Sequence, residues 1–273
     1  MTKEELEALV RQVVVEVVKG ERPAPPPEPG LPGPRHRALP SPRDPAAIDR
    51  LVSLTPARIA QGRSGTRYLT ESYLGLRADH AIAIDAVNSE IPDGWAEKNG
   101  WLPLRTRAKS HEEFLLHPDH GRALDDASKK RCAEAEQGAD VQIIAGDGLS
   151  AYALTRYGPP LVAELLKALP AAGLKVGRPI FVKYARIGVQ DEIGVLTHAK
   201  CTAIIVGERP GLGTGDSLSI YTAYGPRVGQ DNSEKDCISN VRDLGFPPPR
   251  AAQRCADLLK RTFAAGGGGV KLT

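Results

Sequence analysis

Cysteine is scarce in this chain: four in 273 residues, at positions 132, 201, 237 and 255, with no C-x-x-C spacing. A disulfide scaffold needs a denser framework, so the thiols read as reduced and the protein as cytoplasmic. Long apolar runs are missing as well. None reaches the roughly 18 residues of a membrane span, which argues against a membrane partner. The first residues lack the basic start and small-residue cleavage site of a secretory signal. Charge of one sign is not in excess. A net charge of +3 is too small to imply nucleic-acid binding by itself.

Recognisable catalytic motifs are equally sparse. No G-x-S-x-G elbow occurs, and Ser150 in GDGLSA lacks the second glycine. His117-Pro-Asp-His120 has a ligand-like spacing, but no Cys or carboxylate pattern completes a zinc site, and a solvated loop is the plainer reading. Arg58, Arg63 and Arg67 suit an anion or an exposed interface face equally. On its residues alone the chain reads as a binder, not a self-sufficient catalyst.

What is present is ordinary globular composition, 41% hydrophobic and 25% charged, in a length sufficient for one large or two small domains. Residues 1–20 carry Leu6, Leu9, Val10, Val13, Val14, Val17 and Val18 on one helical face, with Thr2 and Glu5 as a capping box. That helix either folds back on the body or docks in a groove of another protein. From Pro23 to Pro34, seven of twelve residues are proline, so residues 21–45 read as a linker. Residues 46–138 read as mostly helical.

From residue 139 the pattern alternates. VQIIAG (141–146), PIFVKYAR (179–186), CTAIIVG (201–207) and SLSIYTAY (217–224) read as strands. Helical segments follow the first two, and PPPRAAQRCADLLKRTFAA is a closing helix. This order predicts an α/β domain over 139–273, with a parallel sheet and helices on both faces. Its ligand site belongs at the carboxyl ends of the strands, where the loops 147–150, 186–191 and 207–217 compete for it.

The stretch IIVGERPGLGTGDS (204–217) resembles a phosphate loop but lacks the P-loop's Lys-Ser/Thr pair. A strand and not a helix follows its glycines, so no helix N-terminus faces a phosphate. Glu208 also repels one. The loop suits a large ligand rich in neutral polar groups, with glycines permitting close backbone approach; a tight surface turn with Glu208–Arg209 pairing is the alternative. Asp147 could cap a helix or bind something, and Cys237 could be a small packed thiol.

ARIAQGRSGTR (57–67), LRADHA (76–81), VQIIAGDGLSA (141–151), AGLKVGRPIFVKYARIGVQDEIG (172–194), VGERPGLGTGDSLSIYTAYGPR (206–227) and CISN (237–240) together resemble the small (light) subunit of ethanolamine ammonia-lyase. The resemblance implies a Rossmann-like domain preceded by helices. It implies a TIM-barrel large subunit as partner, with adenosylcobalamin between the two chains. In that family the barrel binds ethanolamine and supplies most catalytic groups, so no catalytic residue is expected here. Glu208, Ile187 (where the family often has valine) and Cys237 match its cofactor-contacting positions. D-x-H-x-x-G is absent, which fits a cofactor that keeps its own dimethylbenzimidazole on cobalt, the metal being held by the corrin. In some relatives an N-terminal helix directs the enzyme into a bacterial microcompartment, and residues 1–20 look similar. A stand-alone nucleotide-binding α/β enzyme and a structural scaffold subunit are the rival readings.

Overall fold

A computed structural model describes residues 39–55 and 57–272. The helix expected at 1–20 and most of the linker lie outside these residues. The described residues divide into two compact units, one up to Gly75 and one from Leu76.

The first unit holds α1 (Pro45–Ser53), whose N-terminus is capped by Asp44: Oδ1 accepts from the Ala47 N–H at 2.9 Å. The short strands β1 (Arg63–Ser64) and β2 (Arg67–Tyr68) pair antiparallel. Gly65 sits in the turn at φ +60°, a conformation glycine adopts freely. The Arg63 guanidinium lies 4.2 Å from the Tyr68 ring centroid, and Arg58 donates to the Gly75 carbonyl. Helix α2 (Thr70–Asn88) starts in this unit and runs into the next.

The second unit continues with α3 (Trp95–Lys98), β3 (Leu102–Arg105), α4 (His111–Leu116), α5 (Asp126–Ala133), β4 (Val141–Gly146), α6 (Ala151–Ala171), β5 (Ile180–Lys183), α7 (Val189–Leu196), β6 (Cys201–Gly207), β7 (Leu218–Tyr224), β8 (Lys235–Val241) and α8 (Pro248–Ala265). Its six strands form one sheet in the order β3-β5-β4-β6-β7-β8. The first four run parallel, whereas β6–β7 and β7–β8 pair antiparallel. The expected parallel sheet is therefore a mixed one. Residues 208–217 supply no crossover helix between β6 and β7, so the chain turns straight back on itself.

Two side-chain clusters sandwich the sheet. Ile143, Ile205 and Ile220 pack with Leu154, Leu161 and Leu165 of α6 and Leu259 of α8. Ile144, Ile204 and Val182 pack on the other face with Leu124 and with Val189 and Ile193 of α7. Consecutive residues such as Ile143 and Ile144 enter opposite clusters, which is why β4 reads as a continuous apolar run. Two strands of this sheet are not visible in the sequence pattern, and neither is the short β1–β2 pair. Strand β3 lies inside the stretch read as helical and carries Pro103; β8 is polar and half-exposed. Both are edges, where proline and polar residues are tolerated.

Candidate functional site

Strands β4, β5 and β6 end side by side at Gly146, Lys183 and Gly207. A cleft of about 920 Å³ opens there, and its wall includes Gly148, Arg186, Ile187, Gly207, Glu208 and Tyr221. All three loops singled out from the sequence contribute to it. Two of the expected site residues, Ile187 and Glu208, line it directly.

The floor depends on glycine. A Cβ on Gly207 would lie 2.2 Å from the Ser150 carbonyl oxygen, and one on Gly148 (φ +59°) would lie 2.4 Å from the Gly207 carbonyl oxygen. The two backbones touch, and the Leu149 N–H donates to the Gly207 carbonyl at 3.0 Å. By contrast Gly211, Gly213 and Gly215 do not line the cleft. Gly213 (φ +70°) donates to the Asp79 carbonyl, and a Cβ on Gly215 would lie 2.8 Å from Ala86 Cβ. Gly213 and Gly215 thus pack on α2, while Gly148, Gly188 and Gly207 line the cleft.

Asp147 ties the ends of β4 and β5 together. Its Oδ2 accepts from the Tyr184 N–H at 2.8 Å and its Oδ1 from the Ala185 N–H at 2.9 Å. Burial pushes its carboxyl up to about 6, against the pull of the N–H groups of Tyr184, Ala185 and Gly148. It is not a helix cap. Ser150 caps α6, its Oγ accepting from the Ala153 N–H at 3.1 Å. Tyr184 has φ +60°, which costs an aromatic residue roughly 1–2 kcal/mol. Its carbonyl accepts from Thr106 Oγ1 at 2.9 Å and its hydroxyl donates to Glu90 at 3.1 Å.

Glu208 accepts hydrogen bonds from the hydroxyls of Ser217 and Ser219 and from the Asn240 N–H at 2.9 Å. Its partners are these three groups and not Arg209. The glutamate therefore links the end of β6 to β7 and β8. Cys237 is exposed and pairs in register with Tyr221. Tyr221 and Ser219 line the cleft, although Cys237 itself does not. Burial raises the Cys237 thiol above its ordinary range, so it is not a thiolate poised for attack.

Arg186 lies beside Ile187, its Nη2 donating to the Phe114 carbonyl at 3.0 Å and its guanidinium 4.2 Å from the Phe114 ring centroid. Burial, then Arg122 and Arg209, hold its pKa below the usual value. At the other side of the cleft stands an ion pair the sequence did not suggest. Lys235 Nζ donates to Asp191 Oδ2 at 2.9 Å, with side chains only 2% and 4% exposed. Lys235 also donates to the Gln230 carbonyl. The pair spans 44 residues of sequence, and no local spacing announces it.

The chemistry of the wall is that of a binding surface. Buried Arg186 Nε and Gln230 Oε1 belong to residues of the cleft wall and have no hydrogen-bond partner. A ligand offering both amide N–H and carbonyl groups matches such a wall. Among the described residues no group of three or more His, Cys, Asp or Glu side chains could hold a metal ion. His120 instead pairs with Glu113, Nδ1 to Oε1 at 2.5 Å. No helix among the described residues is long and apolar enough to cross a membrane.

Residues 45–273 match the family described as ethanolamine ammonia-lyase light chain (EutC). The ethanolamine ammonia-lyase small subunit of Clostridium acetobutylicum is 39% identical over 229 residues, covering 82% of this chain and 93% of the relative.

Proposed function

The chain belongs to the ethanolamine ammonia-lyase light-chain family, and on that premise we propose that it is the small subunit of an adenosylcobalamin-dependent enzyme converting ethanolamine to acetaldehyde and ammonia. Its cleft at the ends of β4, β5 and β6 takes the cofactor against a TIM-barrel large subunit. The observation that carries this reading is the shared wall: Ile187 and Glu208 line one cleft, and Cys237 pairs across strands with Tyr221 of the same wall. The donor set fits a corrin bearing amide side chains. Ile187 offers an apolar surface, and Arg186 Nε and Gln230 Oε1 offer one buried donor and one buried acceptor.

When bound, adenosylcobalamin supplies the radical by homolysis of its cobalt–carbon bond. The residues of this chain bind and orient. Glu208, held by Ser217, Ser219 and Asn240, has lone-pair capacity left for one amide or hydroxyl donor. Ile187 excludes water from the face it covers. Catalytic groups belong to the partner subunit. Residues 1–20 address a microcompartment shell protein. The test is acetaldehyde formation from ethanolamine by the co-expressed subunits. Turnover strictly dependent on added adenosylcobalamin and on both chains supports the reading; a complex inactive with the cofactor, or fully active without it, refutes it.

A further inference from the structure

We infer that Asp147 is a positioning residue whose carboxylate fixes the left-handed turn at Tyr184 and so aims Arg186 and Ile187 into the cleft. The inference rests on the proposed cobalamin site and names the group that shapes it. Three consecutive N–H groups leave the end of β5, and each has its own acceptor. Those of Tyr184 and Ala185 go to the two Asp147 oxygens, and that of Arg186 goes to the Gly121 carbonyl at 2.8 Å. A tyrosine holds φ +60° only where its surroundings over-determine it. Here Asp147 fixes its N–H, Thr106 its carbonyl and Glu90 its hydroxyl.

Capping of α6 is done by Ser150, so Asp147 is not needed for the helix. A buried carboxylate, 5% exposed, is costly unless its hydrogen bonds offset the burial. Those bonds reach across from the end of β4 to the segment that presents Arg186 and Ile187. Each oxygen accepts one N–H from the end of β5, which a side-chain amide cannot imitate: its NH₂ would face a backbone N–H.

The experiment compares Asp147→Asn with the unaltered chain, each in complex with the large subunit and probed with cyanocobalamin. The expected result is at least tenfold weaker cyanocobalamin binding. Hydrogen exchange should quicken at residues 184–186, with α6 and β6 still protected. The KM for ethanolamine at saturating adenosylcobalamin should stay unchanged. Unaltered cyanocobalamin affinity, or exchange that quickens evenly along the chain, overturns the inference. If Asp147→Asn does not fold, Thr106→Val removes one anchor of the same turn. It should quicken exchange at 184–186 and weaken binding at least threefold; no change in either overturns the inference. Failure of the unaltered complex to bind cyanocobalamin refutes the cofactor assignment instead, while the exchange measurement still decides whether Asp147 holds the turn.

Discussion

Gly148 and Gly207 meet backbone to backbone, so closely that a methyl group on Gly148 would lie 2.4 Å from the Gly207 carbonyl oxygen. Close approach of two strand ends opens the cleft beside them. Gly148→Ala also forces an L side chain to φ +59°. Loss of stability of about 3 kcal/mol or more is expected, from overpacking and backbone strain together. Gly211→Ala has open space around it and should change stability by less than about 0.5 kcal/mol. Urea unfolding of the two variants checks the contrast; equal effects would contradict the packing argument.

Glu208→Ala should both loosen the β6–β7–β8 corner and weaken the cofactor. It leaves the Asn240 N–H and two serine hydroxyls without their shared acceptor. A stability loss of about 2 kcal/mol follows for bonds to a charged group, with cobalamin affinity down by about 1–3 kcal/mol if the remaining lone pair meets the ligand. Calorimetric titration of the complex reads the second quantity. Unchanged affinity with lowered stability would make Glu208 a structural residue only.

Part of this site was legible in the chain and part was not. The loops at the ends of VQIIAG, PIFVKYAR and CTAIIVG were found because β-branched runs mark buried strands and ligand sites lie at strand ends. The antiparallel return of β7 is signalled only by the lack of a helical pattern in residues 208–217. Edge strands β3 and β8 are not legible because Pro103 interrupts one and the mixed stretch Asp236–Asn240 of the other lacks a buried strand's apolar run. Glu208 and Ile187 came from motif resemblance, which preserves position without geometry. Asp147 and the Asp191–Lys235 pair needed coordinates, since their partners lie 37 and 44 residues away.

Breaking that pair should be costly. Lys235→Met leaves Asp191 buried without its cation and should destabilise the chain by about 3 kcal/mol at pH 7. Burial already holds the Asp191 carboxyl above its ordinary value, with Lys235 opposing. Without the lysine it rises further, so the penalty shrinks as pH falls and the carboxyl protonates. Unfolding at pH 5 and pH 7 compares the two; an equal penalty at both would contradict the charge argument.

Asp147 predicts a second pH effect of defined sign. Its folded carboxyl titrates at about 6, above the ordinary aspartate value near 3.9. The folded state therefore holds the proton more tightly than the unfolded state. Its contribution to stability is greatest below about pH 4, falls as pH rises to about 6, and levels off above. The fall is on the order of 3 kcal/mol. Asp147→Asn should lack this slope, so the difference in unfolding free energy between the two proteins should vary with pH between 4 and 6. A constant difference would contradict a raised pKa.

The proposed cobalamin site lies at the carboxyl ends of β4, β5 and β6. A crystal structure of the two-subunit complex with cyanocobalamin tests it most directly. Corrin density is expected in van der Waals contact with Ile187 and within hydrogen-bond distance of Glu208. Corrin density elsewhere on this chain, or on the partner subunit alone, would contradict it.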